Sequence, residues 1–299
     1  MGAPTVLIEK IPRGDEACIS LQKLEKFLGK KAYATMPIEI GGINSTMPLV
    51  VGALLNLPVV DADGMGRAFP ELQMETFGVY GISGTPMVIT NERGETVLIE
   101  TIDNKTMEWI ARGVTIRMGG AAYIAEYPMT GKEVKRTSIP NTLTLAIKLG
   151  ACIREARENH LNPFDEIINL LPQTPYSFGK IIFRGKIIDI FRKTQSGFAK
   201  GKAKIEGVES WKGVMEIDIQ NENLIAKVNG EIKAMVPDLI CIFETETAEP
   251  LTTETLRYGQ RVTVMGVSVP EIMKTKEALE IFGPRAFGIN EDFLSIETL

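Results

Sequence analysis

The chain has 299 residues, of which 44% are hydrophobic and 24% are charged, and this composition excludes a disordered or fibrous protein. Its 33 Lys and Arg residues against 38 Asp and Glu residues give a formal charge of -5, which argues against a nucleic-acid partner. The longest apolar stretch, residues 47–60, is interrupted by two prolines and an asparagine and is shorter than the roughly 20 residues that a membrane-spanning helix needs. We therefore expect a cytoplasmic protein without a membrane segment.

The numbers and positions of cysteine and histidine limit the kinds of metal and catalytic site that this chain can form. The three cysteines, Cys18, Cys152 and Cys241, are far apart in the chain and lie among apolar neighbours, which is typical of reduced core thiols rather than disulfides. His160 is the one histidine of the sequence. Zinc centres and Ser-His or Cys-His catalytic pairs are therefore difficult to build from this chain.

In the first half of the chain, strand-like and helix-like patterns alternate. Strands are predicted at residues 6–8, 32–40, 57–61 and 121–125, a hairpin at 86–90 and 96–100, and helices at 17–28, after 41–42, at 107–118 and at 145–156. Strands that alternate with helices favour a parallel sheet with helices on its faces. We therefore predict an α/β N-terminal domain, residues 1–162, with a mainly parallel sheet.

Beyond Pro163 the hydrophobic period changes to two. Met215, Ile217 and Ile219 alternate with polar residues, as expected for an antiparallel sheet with one solvated face. Hairpin turns are predicted at residues 184–185, 221–223 and 229–230, where Gly or Asn supplies a positive φ. The prediction is an all-β, barrel-like C-terminal domain over residues 163–299.

The first polar junction follows the second predicted strand. Glu39 lies at or near the strand end, Gly41 and Gly42 allow a ligand to approach the backbone, and Asn44 or Ser45 can cap the next helix. Free N–H groups at a helix N-terminus can bind an anion or an oxyanion. The alternative is a glycine turn followed by a capped helix.

The second junction places two carboxylates two residues apart at the end of an apolar strand. Asp61 and Asp63 repel each other, and a cation, a shared proton or Arg67 would relieve that repulsion. A solvated turn is one alternative. A divalent metal held by Asp61, Asp63 and either Glu39 or Glu71 is another, although the spacing is not that of an established calcium loop. No other cofactor is expected.

The third junction runs from Tyr127 through Thr130 into Gly131 and Lys132 at a predicted helix start. It could hold an anionic group, although it lacks the spacing of a P-loop, and a solvated helix is the alternative. In the C-terminal domain, Arg285 could contact a substrate carboxylate, with a surface loop as the alternative.

Four longer strings are more specific than these single motifs. They are PIEIGGINS at 37–45, PVVDADGMGRAFPELQM at 58–74, YPMTG at 127–131 and GPRAFG at 283–288. Together they resemble the family named after S-methyl-thiohydantoin desulfurase, whose members are often encoded beside hydantoinase and oxoprolinase genes. The resemblance implies an α/β domain followed by a β-barrel-like domain, and chemistry on hydantoin-like rings. Similar proteins usually begin with a further glycine-rich segment, and we expect its absence ahead of Met1 to remove part of a ligand site or to uncover a sheet face.

Two functions from different classes follow. The first is a hydrolase-type enzyme that acts on a small cyclic amide or thioamide, with Asp61 or Asp63 as general base and Glu39 as its partner or as the acid. The groups expected to bind the substrate or its developing oxyanion are Gly41, Gly42, Asn44, Ser45, Arg67, Tyr127, Thr130 and Arg285. The second is a non-catalytic partner subunit of a hydantoinase or oxoprolinase complex. An anion or nucleotide sensor at residues 126–132 is a third alternative, and we expect a homo-oligomer.

Overall fold

The computed structural model describes residues 1–2, 6, 10–195 and 198–299. The chain forms two compact units, one comprising Met1–Leu143 with Ser196–Phe198 and the other comprising Thr144–Gln195 with Ala199–Leu299. The domain boundary at residues 162 and 163 stays a prediction. Within the described ranges, no helix combines the length and the apolar character needed to cross a bilayer.

The first unit contains five described helices and five short strands. The helices are α1 (Glu16–Leu28), α2 (Gly42–Leu55), α3 (Thr76–Val79), α4 (Asn104–Arg117) and α5 (Gly131–Thr137), and the strands are β1 (Ala62–Asp63), β2 (Met87–Thr90), β3 (Thr96–Ile99), β4 (Tyr123–Ala125) and β5 (Ile139–Pro140). The predicted 86–100 hairpin is confirmed as the β2–β3 pair. The strand predicted at residues 6–8 lies, apart from Val6, outside the described residues.

The prediction of a mainly parallel sheet in this unit is wrong. Strands β3, β2 and β4 form an antiparallel sheet in that order, and β1 pairs with β5 in a separate antiparallel ladder. The segments predicted as strands at 32–40 and 57–61 make one parallel bridge, between Thr35 and Val59. Pro37 and Pro58 lie in these segments and lack the N–H that a continuous ladder needs.

The core of the first unit lies between the three-stranded sheet and its helices. Helix α4 buries Met107 and Ala111 there, and Asp103 caps its N-terminus by accepting a hydrogen bond from the N–H of Thr106 at 2.7 Å. Helix α1 packs on β2 and β4. This packing fixes β4 and the loop that follows it, where the third polar junction lies.

The second unit is built around one large antiparallel sheet. Its strands are β6 (Gly179–Gln195), β7 (Phe198–Gly207), β8 (Val214–Gln220), β9 (Glu222–Val228), β10 (Glu231–Met235), β11 (Leu239–Glu244) and β12 (Arg261–Val267), and its helices are most of α6 (Thr142–Glu158), α7 (Pro163–Leu170) and α8 (Lys276–Phe282). The strand order β10-β9-β8-β7-β6-β12-β11 forms a curled half-barrel. The predicted antiparallel, barrel-like sheet is therefore confirmed, and the helices show that the C-terminal part is not all β.

One of the predicted hairpin turns is wrong. Residues 184–185 lie in the middle of β6, whereas the turn at 229–230 joins β9 to β10 as predicted. The glycine at 185 serves a different purpose, because a Cβ atom there would clash with the backbone carbonyl of Glu206. Glycine in a strand often marks such a close backbone approach.

We expect Gly185→Ala to destabilise the protein by about 1–3 kcal/mol, because backbone atoms must move to admit the methyl group. Gly150→Ala is the matched control, since a Cβ atom at this exposed helical position has no atom within 4 Å. The control should stabilise the protein by about 0.5–1 kcal/mol. Urea denaturation of both variants provides the test, and equal stability of the two would contradict the expectation.

Candidate active site

Asp63 lies at the end of β1 and is completely buried. Its Oδ2 accepts hydrogen bonds from the backbone N–H groups of Met65 at 3.0 Å and Gly66 at 2.6 Å. Its Oδ1 has no hydrogen-bond partner within the described part of the chain. Burial raises the pKa of this carboxyl to about 6, because the backbone N–H groups of Gly66, Met65 and Ile40 and the side chain of Thr142 only partly compensate for lost hydration. The backbone thus holds the Asp63 carboxyl group through Oδ2.

A second buried carboxyl, Glu75, lies against the Asp63 loop. The hydroxyl and the N–H of Thr76 donate to the carbonyl of Gly64 at 2.9 and 2.6 Å, which holds the start of α3 against the residue that follows Asp63. A Cβ atom at Gly64 would lie 2.9 Å from Oε2 of Glu75 and would also clash with Phe77. The absence of a side chain at Gly64 therefore leaves the space that the Glu75 carboxyl occupies.

Glu39, Asp63, Glu75 and Glu126 form a group that we call the acidic cluster. Burial raises the pKa of Glu75 well above its ordinary value, and the charges of Glu126, Asp63 and Glu39 raise it further. The pKa of Glu126 is also raised, mainly by burial. Within the described ranges, neither carboxyl oxygen of Glu75 or of Glu126 has a hydrogen-bond partner. The cluster therefore contains buried carboxyl groups that favour the neutral form.

Glu39 connects this cluster to the surface. The exposed Asn44 donates from Nδ2 to Oε1 of Glu39 at 2.5 Å, and Glu39 itself is buried. Asn44 lies in the first turn of α2, which begins at Gly42 after Gly41. Ser45 does not cap this helix from outside, because its hydroxyl donates to the carbonyl of Gly42 at 2.8 Å within the first turn.

Among the other predicted residues of the first unit, Tyr127 adjoins the cluster. Its hydroxyl donates to the carbonyl of Leu72 at 3.1 Å, and burial followed by the charges of Glu75 and Glu126 raises its pKa. Arg67 is buried, with its guanidinium 5.0 Å from the ring centroid of Phe69.

Three predicted residues have local structural contacts instead. The Asp61 carbonyl accepts the N–H of Asn141 at 2.8 Å, and the residue is only partly buried. Thr130 caps α5 in a capping box with Glu133. Arg285, in the second unit, forms an exposed ion pair with Asp292 at 2.8 Å.

A buried ion pair positions the segment that precedes Glu75. Arg112 and Glu108, one turn apart on α4, are joined at 2.6 Å. The other Glu108 oxygen accepts the N–H of Leu72 at 3.0 Å, and Arg112 donates to the carbonyl of Pro70 at 2.7 Å. Helix α4 thus holds residues 70–72, which lead directly to the buried Glu75.

Sequence reasoning did not select Glu75, and it left Glu126 without a role. Glu75 directly precedes α3, where an acidic residue is ordinary because it interacts well with the helix dipole. Glu126 stands beside Tyr127 in the third junction. No periodic signal marks either residue, since their proximity comes from tertiary packing.

The described residues do not provide a ligand set for the divalent metal that the sequence suggested as an alternative. Within the described residues, no group of three or more His, Cys, Asp or Glu side chains is arranged to hold a metal ion. Glu71, one of the candidate ligands, accepts a hydrogen bond from the side chain of Gln73. Asp61, Asp63 and Glu71 are therefore not brought together as a metal centre.

Comparison with known proteins gives the family. The N-terminal domain described as S-Me-THD-like matches residues 1–101, and the S-Me-THD-like C-terminal domain matches residues 102–296. The chain belongs to the S-methyl-thiohydantoin desulfurase-like family. None of the curated proteins that were compared matches it. A crystal structure of a protein from Chromobacterium violaceum is similar, with a TM-score of 0.81 and 22% identity over 99% of this chain and 82% of that one. At this identity the structural likeness shows a shared fold.

Proposed function

We propose that this member of the S-Me-THD-like family is an enzyme that hydrolyses a small cyclic amide or thioamide of the hydantoin or S-methyl-thiohydantoin class. The observation that carries the proposal is Asp63, a buried carboxyl with a pKa of about 6 that two backbone N–H groups hold through one oxygen and that has Glu39 in the same acidic cluster. Carboxyl groups whose environments separate their pKa values can serve as base and acid at neutral pH.

Asp63 is the general base in this proposal. Its Oδ1 takes a proton from water while the water oxygen forms a bond to an sp² ring carbon, and the electron pair of the C=O or C=N bond moves to oxygen or nitrogen. In an amide, the C–N bond then breaks and the ring nitrogen leaves with a proton. In an S-methyl thioamide, the C–S bond breaks, a carbonyl forms at the ring carbon, and methanethiol leaves with a proton. The two backbone N–H groups on Oδ2 fix the orientation of the Asp63 carboxyl group.

Glu39 is the acid: it gives its own proton to the leaving group, and the proton held by Asp63 returns to Glu39 through solvent before the next turnover. Its Oε1 accepts a hydrogen bond from the carboxamide of Asn44, which orients the carboxyl group. Asn44 and the first N–H groups of α2 lie beside it and can donate to the developing negative charge. Asp61 is the weaker candidate for base, because it is only partly buried, whereas Asp63 is completely buried.

Product analysis tests this function. The purified protein should convert S-methyl-thiohydantoin to hydantoin and methanethiol, or open a hydantoin ring to the carbamoyl acid, as followed by mass spectrometry and thiol titration. Asp189→Asn, which changes an exposed carboxylate on β6, should retain the wild-type rate. Failure of the wild type to form either product would contradict the proposal and would favour a non-catalytic subunit. Co-purification with a hydantoinase or oxoprolinase tests that alternative.

A further inference from the structure

The proposed reaction assigns no catalytic step to Glu75, although this carboxyl is buried without a hydrogen-bond partner in the part of the chain that the structure describes. The side chain is completely buried, and both carboxyl oxygens lack a hydrogen-bond partner within the described ranges. A buried polar group without a partner costs about 1–3 kcal/mol. Such a group in a folded protein calls for a ligand or a function.

The state of Glu75 decides what it can bind. Burial and the charges of Glu126, Asp63 and Glu39 favour the protonated carboxyl. A protonated carboxyl presents an O–H donor and a C=O acceptor side by side. An ionised carboxylate would offer acceptors alone.

We propose that Glu75 recognises cyclic amides by forming paired hydrogen bonds from its carboxyl group to the N–H and C=O of one ring amide. This inference rests on the proposed function. In a five-membered ring the amide is cis, so that N–H and C=O point to the same side. In a linear peptide the amide is almost always trans, and the two groups point to opposite sides. Glu75 thereby selects a ring amide over a linear one.

The position of Glu75 suits this role better than that of the other buried carboxyls. Oδ2 of Asp63 is occupied by two N–H groups, Glu39 accepts from Asn44, and Glu108 is paired with Arg112. Glu126 also lacks a hydrogen-bond partner within the described ranges, but the N-terminal ammonium of Met1 lies close enough to favour its charged form. Glu75 lies against Gly64, so a ring bound to it is next to the proposed base.

The test combines a change in the protein with a change in the ring. Dissociation constants for hydantoin, 1-methylhydantoin and 3-methylhydantoin are measured by calorimetry in the Asp63→Asn background, which prevents turnover. Glu75→Met should weaken hydantoin binding by about 30-fold, as expected for the loss of two buried hydrogen bonds. Glu75→Gln also presents a donor and an acceptor and should bind within about threefold of the parent. The exposed Glu155→Met on α6 is the matched control and should bind as the parent does.

Methylation of the ring nitrogen removes the donor that Glu75 contacts. One of the two methylhydantoins should bind the parent about tenfold or more weakly than hydantoin does. The same methyl group should have no effect on binding to Glu75→Met, because the contact is already absent. This double cycle separates recognition by Glu75 from a general structural effect of the substitution.

Infrared difference spectroscopy gives a second measurement that does not depend on the stability of the Met variant. Hydantoin binding should shift the C=O stretch of a protonated carboxyl in the Asp63→Asn protein, and this band should be absent after the further change Glu75→Gln. Three results would each overturn the role of Glu75 without affecting the proposed function. They are an unchanged hydantoin affinity in Glu75→Met, a loss of affinity on ring methylation that persists in Glu75→Met, and no shift of the carboxyl band. Absence of hydantoin binding to every variant and to the wild type would overturn the proposed function together with this role.

Discussion

Asp63→Asn is expected to lower kcat/KM for the hydantoin-class substrate by about 10²–10⁴-fold, the contribution that a positioned general base makes. Asparagine keeps an oxygen that can accept the N–H groups of Met65 and Gly66, so the loop should keep its conformation. The amide cannot take a proton from water, so most of the loss should appear in kcat rather than in KM.

Steady-state kinetics of wild type, Asp63→Asn and the surface variant Asp189→Asn measure this effect. Circular dichroism and thermal denaturation establish that each variant is folded. Asp61→Asn separates the two candidate bases, and we expect its effect to be much smaller. A wild-type kcat in Asp63→Asn would remove this carboxyl from the mechanism.

The free energy of unfolding should depend on pH through Asp63. Its pKa is 3.8 in the unfolded reference and about 6 in the folded protein. Between about pH 4 and pH 6 the folded state retains a proton that the unfolded state has lost, so stability falls as pH rises through this window. Above about pH 6 the cost of the buried charge is fully present, and the shift of about 2 units corresponds to about 3 kcal/mol.

Asp238 is a second carboxyl whose pKa is raised to about 6 by burial. The difference in unfolding free energy between Asp63→Asn and wild type therefore isolates the pH-dependent contribution of Asp63. Urea denaturation at several pH values should show the Asn variant gaining up to about 3 kcal/mol relative to wild type between about pH 4 and pH 7. Asp189→Asn should show a difference from wild type that stays constant with pH. A constant difference for Asp63→Asn would show that this carboxyl has an ordinary pKa in the folded protein.

The local elements of the fold could be read from the sequence because they depend on neighbours in the chain. The helical spacing around Leu21 and Leu24 predicted α1, and the turn residues at 91–94 predicted the β2–β3 hairpin. Alternation at Met215 predicted a strand with one buried face, and its burial pattern agrees. The long string at 58–74 indicated the family that the domain matches show.

Strand direction in the first unit was not determined locally. A sequence in which strands and helices alternate is compatible with either parallel or antiparallel pairing, and here β2 pairs with β3 and β4 in antiparallel fashion. The glycine at 185 was likewise predicted to lie in a turn. A glycine can be required for a positive φ or for the close approach of another backbone, and the sequence does not distinguish these two reasons. In the structure the second requirement applies.

The sequence by itself determined the family, the helices and hairpins, and the presence of Glu39 and Asp63 at polar junctions. The tertiary structure alone decided that Glu75 and Glu126 join them and that Asp63, rather than Asp61, is the completely buried aspartate. The physical reason is that a carboxyl acquires an unusual pKa from burial and from charges close in space. The residues that provide these conditions are separated by up to 87 positions, from Glu39 to Glu126, so only the folded chain brings them together.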